Sequence, residues 1–134
     1  TGAPYAWPEE GLADIDITDL PEIPAEAAVA FLKRQGYHIL ERNFRNKLGE
    51  IDIIAKDDDT VCFVEVKTRR SEAFGSPFES ITAAKQRKII HVALSYLKVK
   101  GREESKARFD VVAVFLEGEN PERIEIIKNA FDVN

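Results

Sequence analysis

Apolar and polar residues follow two different periods along this chain, and each period predicts a different kind of element. Two segments space their apolar residues three and four positions apart, as amphipathic helices do, and five are alternating or rich in β-branched residues, as strands are. The sequence therefore predicts a helix over 25–35, strands over 37–44, 50–55 and 60–67, a helix over about 79–100, and strands over 108–116 and 123–128. This α-β-β-β-α-β-β order predicts an α/β protein in which helices pack on one mixed sheet.

The segments 50–55 and 60–67 are joined by acidic residues that suit a tight turn, which predicts a hairpin. With residues 58–59 at the centre of the turn, Asp52 lies opposite Glu65, and Glu50 lies opposite Lys67. Strand alternation then places these four charged side chains on one face of the hairpin. The other face is expected to be wholly apolar, with Ile51, Ile53, Ala55, Cys62, Val64 and Val66.

Two carboxylates that face each other across a hairpin repel, so a divalent cation, a shared proton or the ammonium of Lys67 must offset the repulsion. A hard cation held by Asp52 and Glu65 could polarise a phosphate, and Lys67 could orient the attacking water. The alternative is a solvated hairpin face, on which Glu50 and Lys67 form a surface pair worth less than about 1 kcal/mol. The residues alone leave both interpretations open.

Charge is distributed unevenly along the 134 residues, although the net charge is only −5. Residues 1–32 contain seven acidic residues and no Lys or Arg, whereas residues 33–108 contain 17 basic and 11 acidic residues, a net charge of +6. This asymmetry predicts an acidic, proline-containing arm over 1–24 and a moderately basic single domain over 25–134.

The single cysteine, Cys62, lies in an apolar segment and cannot form a disulfide within the chain. No apolar segment approaches the roughly 20 residues that span a bilayer, and no basic segment followed by an apolar one suggests a signal peptide. A cytoplasmic protein that does not bind membranes is therefore expected.

The hairpin sequences GEIDIIA and FVEVKTR resemble those of the YraN-like family of small uncharacterised bacterial proteins. The segments GYHILERNF, RFDVV and IKNAF, which follow in the family's order, extend the resemblance to about residues 25–131. The family is similar to Holliday-junction resolvases of the PD-(D/E)xK nucleases. The resemblance therefore implies a restriction-endonuclease-like α/β/α fold.

The resemblance also implies a catalytic set of Asp52, Glu65 and Lys67, with Mg²⁺ or Mn²⁺ as cofactor. Such nucleases commonly add an acid from the first helix as a metal ligand. Glu26 is the candidate, although it is displaced by about one position from the expected place. Glu50 is expected to support the site. The proline that usually precedes the aspartate is Ile51 here.

The expected function is metal-dependent cleavage of DNA, with branched DNA among the candidate substrates. Arg69, Arg70, Lys85 and Lys88 are expected to contact phosphates, although a solvated helix face would also explain the last two. The alternatives are a nucleic-acid-binding module that does not cleave and a protein-interaction subunit. The arm is expected to form a homodimer contact, or else to occupy the basic surface in place of DNA.

Overall fold

The computed structural model describes residues 23–69, 82–118 and 120–131. Its elements are α1 (Ile23–Arg34), β1 (His38–Asn46), β2 (Gly49–Asp57), β3 (Thr60–Arg69), α2 (Ala83–Val99), β4 (Lys106–Glu117) and β5 (Asn120–Phe131). These residues thus form a mixed α/β structure, with elements in the predicted order. The predicted arm lies outside the described residues, apart from Ile23 and Pro24, which begin α1.

The five strands form one sheet in the order β1-β2-β3-β4-β5. Strands β1, β2 and β3 are antiparallel neighbours, β4 runs parallel to β3, and β5 returns antiparallel to β4. A parallel pair needs a crossover connection, and α2 lies within that crossover. The sheet is therefore mixed. Strands β1, β2 and β3 form an antiparallel meander, and the crossover through α2 places the β4–β5 hairpin beside β3 with β4 parallel to it.

Helix α2 begins later than the sequence pattern predicted. Thr82 has an extended backbone, with φ −69° and ψ 161°, and its hydroxyl accepts a hydrogen bond from the Lys85 amide at 3.1 Å. A threonine in this position caps the free amides of the first turn, so the helix starts at Ala83 rather than near residue 79. Residues 79–81 of the predicted helix lie outside the described residues.

Each face of the sheet is covered by one helix, and the central strands are buried on both sides. On the first face, α1 packs Ala28, Phe31 and Leu32 against Ile53 and Val64. On the second face, α2 packs its own buried residues against the sheet, and the members of that cluster are Ile51, Ile54, Val61, Phe63, Ile89, Val92, Ala93, Tyr96, Leu97 and Phe109. Burial on both faces explains why β4 is apolar almost throughout rather than alternating.

Neither helix that the structure describes is both long and apolar enough to cross a membrane.

Candidate functional site

The predicted hairpin register is confirmed near the turn. Strands β2 and β3 pair from Asp57–Thr60 to Ile53–Val64, as a two-residue turn at Asp58 requires. Asp58 has φ +57°, which aspartate tolerates better than most residues. Cys62, Val64 and the other residues predicted for the first face lie there, with the exception described next.

Strand alternation breaks at Asp52, which the sequence did not predict. Ile53 packs on the α1 side and Ile54 on the α2 side, as alternation requires, but Ile51 also packs on the α2 side. The assignment of Ile51 to the same face as Ile53 was therefore wrong. The backbone pairing with β3 ends at Ile53, so Asp52 is the first residue beyond the paired part of the hairpin.

The Asp52 side chain forms a hydrogen bond to β3 just beyond the point where the backbone pairing of β2 with β3 ends. Its Oδ2 accepts a hydrogen bond of 2.7 Å from the Val66 amide. Asp52 thereby satisfies a β3 backbone donor that a regular ladder would have paired with a carbonyl. This bond holds the carboxylate in the gap between the strands, beside Glu65.

Glu65 sits between two lysines on the α2 side of the sheet. Its Oε2 lies 2.6 Å from the Lys85 ammonium, which projects from the first turn of α2, and 3.9 Å from the Lys67 ammonium. The Glu65 and Lys67 side chains are only 13% and 15% exposed, whereas Lys85 is 42% exposed. Two carboxylates and two ammonium groups therefore meet in a partly dehydrated cluster, which we call the hairpin cluster (Asp52, Glu65, Lys67, Lys85).

The electrostatics of the hairpin cluster follow from this crowding. Burial and then the negative charge of Glu65 raise the pKa of Asp52 to about 6, against the lowering effect of its hydrogen bond from Val66. Burial, followed by the neighbouring ammonium of Lys85, lowers the pKa of Lys67. Burial also acts to lower the pKa of Lys85, but its bond to Glu65 prevails and raises it.

A pocket of about 220 Å³ opens beside Asp52 on the α1 side of the sheet. Its lining residues are Ala25, Arg42, Asn43, Asp52, Ile53, Val66 and Thr68. Asn43 has φ +52°, a conformation uncommon for a residue other than glycine and found at many ligand sites. No sequence pattern predicted that Arg42, Asn43 and Thr68 would surround Asp52, because they come from β1 and the end of β3.

The two supporting carboxylates have other partners. Glu26 Oε1 lies 2.6 Å from the Arg42 guanidinium, and the Glu26 side chain is 53% exposed. Glu50 Oε2 lies 2.6 Å from Arg45, which pairs with it across β1 and β2. The predicted pairing of Glu50 with Lys67 was wrong, since β2 and β3 have separated before that point.

Within residues 23–69, 82–118 and 120–131, no three His, Cys, Asp or Glu side chains are grouped so as to hold a metal ion. Asp52 and Glu65 are thus brought together, but Glu26 is not gathered with them. A cation at this pair would need oxygen ligands from water or substrate.

The predicted phosphate-binding residues are divided between the cluster and the surface. Lys85 belongs to the hairpin cluster, Lys88 is exposed one turn further along α2, and Arg69 bonds to the Thr68 carbonyl at 2.8 Å. Arg70 lies outside the described residues. The Lys85–Glu65 contact was not predicted, because a strand and a helix about 20 residues apart share no local pattern.

A second polar cluster, missed by the sequence reasoning, lies toward the other end of the sheet. Asp110 is 1% exposed and accepts hydrogen bonds from the Tyr37 hydroxyl, the Asn129 amide and Arg108. Arg108 also bonds to Asp57 at 2.9 Å. We call this set the Asp110 cluster (Tyr37, Asp57, Arg108, Asp110, Asn129). A charged residue inside the apolar strand 108–116 was the signal that could have revealed it.

The Asp110 cluster has the character of a structural network. Burial, followed by the Asp110 charge, raises the pKa of Tyr37, and the bonds to Asp110 and Asp57 outweigh burial to raise the pKa of Arg108. Every charged group in it has an opposite charge within bonding distance. This complete set of ion pairs and hydrogen bonds suits a scaffold rather than proton transfer.

The fold and the hairpin cluster together define a mixed α/β protein whose central hairpin carries two carboxylates and a lysine where its strands separate. The chain belongs to the uncharacterised protein family UPF0102, whose family model matches residues 25–114. The resemblance to the YraN-like proteins is thereby confirmed.

Relatives cover most of the chain. A UPF0102 protein of Desulfosudis oleivorans is 56% identical over 109 residues, which are 81% of this chain and 86% of the relative. One from Caldicellulosiruptor saccharolyticus is 53% identical over 107 residues, 79% of this chain and 91% of the relative. One from Geotalea daltonii is 49% identical over 118 residues, 88% of this chain and 93% of the relative.

Proposed function

We propose that this protein is a metal-dependent endonuclease of the restriction-endonuclease-like α/β/α class, which hydrolyses phosphodiester bonds in DNA with Mg²⁺ or Mn²⁺. The observation that carries the proposal is the hairpin cluster. Asp52 is held beside Glu65 at the point where two strands part, and a lysine with a lowered pKa lies on the next alternate position of β3. Groups whose pKa values are perturbed by burial together with a charged partner cluster at functional sites.

The residues present fit a hard divalent cation. Asp52 and Glu65 would hold it, since both provide carboxylate oxygens, and a dication would relieve the repulsion from Glu65 that, after burial, raises the pKa of Asp52. Mg²⁺ usually keeps several waters and binds through one or two carboxylates plus substrate phosphates, so a third acid is not required. When bound, the metal would polarise the phosphate and make a nearby water more acidic.

We assign to Lys67 the role of orienting the attacking water. It is nearly buried, adjacent to Glu65, and its lowered pKa brings it closer to the range in which an amine exchanges protons. The positive charge that it retains would also stabilise the charge that develops on the phosphate.

The substrate would lie across the end of the hairpin. The pocket beside Asp52 has space for a phosphate group and its waters, with Arg42 at its wall. Lys85, Lys88, Arg69 and Arg70 would contact the neighbouring phosphates, which positions the backbone without reading sequence.

A second function, binding of DNA without cleavage, is favoured by one observation. The two carboxylates are matched by two ammonium groups, so the hairpin cluster is already neutral when no metal is bound. A nucleic-acid-binding protein on this fold would have the same contacts and no turnover.

A cleavage assay separates these functions. Wild type, Asp52→Asn and Lys67→Ala are incubated with linear, nicked and four-way DNA in Mg²⁺, Mn²⁺ or EDTA, and DNA affinity is measured in parallel at fixed salt. Because Lys67 acts in the transition state, Lys67→Ala should cut at least about 100-fold more slowly and bind DNA as wild type does. Lys98→Ala, an exposed lysine at the far end of α2, is the control and should cleave normally.

Absence of cleavage on every DNA with either metal, combined with normal DNA binding, would establish the second function. Cleavage that Asp52→Asn leaves intact would place the active site elsewhere in the protein.

A further inference from the structure

Lys85 occupies the place where a cation would bind Glu65. Its ammonium lies 2.6 Å from Glu65 Oε2, closer than Lys67 at 3.9 Å. The position is built into the fold, because the Thr82 hydroxyl fixes the Lys85 amide at the first turn of α2. Helix α2 in turn packs on the sheet through Ile89, Val92 and Tyr96.

Charge balance makes this contact more than a surface ion pair. The hairpin cluster contains two negative and two positive groups, and all four residues are partly buried. A dication added to this set would bring a third centre of positive charge within a few ångströms of both ammonium groups. In a partly buried site such repulsion is much stronger than it is in bulk water. The cation and both lysines cannot therefore share Glu65 at low free energy.

Of the two lysines, Lys85 is the one that can leave. Its side chain is 42% exposed, so its ammonium can rotate into water or toward a bound phosphate. Lys67 is 15% exposed and extends from the middle of the sheet, where β3 pairs with β4. The Lys67 ammonium therefore has less access to water outside the cluster than the Lys85 ammonium has.

We propose that Lys85 is an exchangeable counter-ion of Glu65, which holds that carboxylate while the site contains no metal and passes to a DNA phosphate when the cation binds. The proposal rests on the proposed function, because it takes Asp52 and Glu65 as the metal ligands. Lys85 is then a positioning residue that couples the binding of the cation to the binding of DNA. The cation binds weakly to the free protein, and DNA strengthens metal binding by drawing Lys85 away from Glu65.

The experiment is a calorimetric titration of Mn²⁺ into the protein without DNA, for wild type and Lys85→Gln. Removal of the competing ammonium should tighten Mn²⁺ binding by about tenfold or more, which is a small part of the Coulomb energy lost. Lys98→Gln is the matched control, since it removes an exposed lysine from the last turn of the same helix and should leave Mn²⁺ affinity unchanged.

A second titration is made in the presence of duplex DNA with phosphorothioate linkages that resist cleavage. This DNA should tighten Mn²⁺ binding in wild type and have a much smaller effect in Lys85→Gln. If Lys85→Gln fails to fold in EDTA, Lys85→Met preserves the aliphatic stem and replaces it in both titrations.

The outcomes separate this inference from the proposed function. Equal or weaker Mn²⁺ binding in Lys85→Gln, with wild-type binding that is lost in Asp52→Asn, overturns the counter-ion role and leaves the metal site in place. No Mn²⁺ binding in any variant, with or without DNA, overturns both. Wild-type binding too weak to measure still supports the inference if Lys85→Gln binds.

Discussion

Asp52 and Asp110 accept the same kind of hydrogen bond from a backbone amide, but the charges around the two carboxylates are opposite in sign. Asp52 accepts the Val66 amide where the β2–β3 pairing ends, and Asp110 accepts the Asn129 amide beside an irregularity in the β4–β5 pairing. Each carboxylate thus satisfies a backbone donor that the ladder leaves unpaired. The residues around them differ, since Asp110 has Arg108 and Tyr37, whereas Asp52 has the like charge of Glu65.

The charged neighbours of these two aspartates distinguish a structural carboxylate from a candidate site residue. The charge of Asp110 is almost wholly buried and surrounded by donors, so it stabilises the junction of β1, β4 and β5 with the end of β2. The charge of Asp52 is opposed by its neighbour, and its carboxylate lines a pocket. A buried charge whose partners are all opposite in sign indicates structure, and one that faces a like charge beside a cavity indicates chemistry.

The largest change in stability is expected from a substitution of Asp110. Asp110→Ala removes the partner of a largely buried arginine, so the free energy of unfolding should fall by about 3–5 kcal/mol. Urea denaturation measures the loss, and Glu117→Ala, at the exposed end of the same strand, should change stability little. A loss below about 1 kcal/mol would mean that water or Asp57 replaces Asp110 and that the cluster is not a scaffold.

Asp52→Asn is expected to act in the opposite direction. The pKa of Asp52 is raised from 3.8 to about 6 in the folded protein, so the native state binds a proton more tightly than the unfolded chain does. Wild-type stability should therefore fall as the pH rises from about 4 to about 6, by about 2–3 kcal/mol in total. Asparagine can still accept the Val66 amide without this cost.

Thermal and urea denaturation in EDTA should thus show Asp52→Asn about 1–3 kcal/mol more stable than wild type at pH 7 and equal to it below pH 4. Asp58→Asn, in the exposed hairpin turn, is the control and should leave the pH dependence unchanged. A variant less stable than wild type at pH 7 would show that the Asp52 charge stabilises the fold, as Asp110 does.

Tyr37→Phe tests an uncharged member of the Asp110 cluster. The hydroxyl donates to Asp110 at 3.1 Å and accepts from Arg108 at 2.9 Å, so its removal should cost about 1–2 kcal/mol. Tyr96→Phe is the matched control, since that ring packs edge-on to Phe44 and Phe63 on the α2 side. Equal losses in the two variants would mean that the hydroxyl of Tyr37 contributes nothing specific to the cluster.

The smallest effect on stability is expected at Glu26, which belongs to neither the hairpin cluster nor the Asp110 cluster. Its bond to Arg42 is exposed at both ends, so Glu26→Gln should change stability by less than about 0.5 kcal/mol and leave the Mn²⁺ response of the melting temperature intact. The same measurement on Asp52→Asn should show no Mn²⁺ response. Loss of the response in Glu26→Gln would instead make Glu26 a third ligand and indicate that it leaves Arg42 when metal binds.

Local rules account for what the sequence determined. The periods of apolar residues located the two helices and five strands that the structure describes to within a few residues at most ends, and the acidic turn set the register from Ile53–Val64 to Asp57–Thr60. The hairpin also predicted that Asp52, Glu65 and Lys67 would lie close together, although the predicted Asp52–Glu65 pair is not part of the backbone ladder, which ends at Ile53–Val64. The catalytic and metal roles of these residues stay predictions.

Only the tertiary structure decided the contacts between distant elements. The bond of Lys85 to Glu65 depends on where α2 packs, that of Tyr37 to Asp110 joins residues 73 positions apart, and Glu26 turned to Arg42 rather than to Asp52. The break in alternation that moved Ile51 across the sheet also arose from packing, since Gly49 and Ile51 meet the α2 side beyond the paired hairpin. Such choices depend on the shapes of packed faces and on competition among many polar partners, and neither is contained in the spacing of residues along the chain.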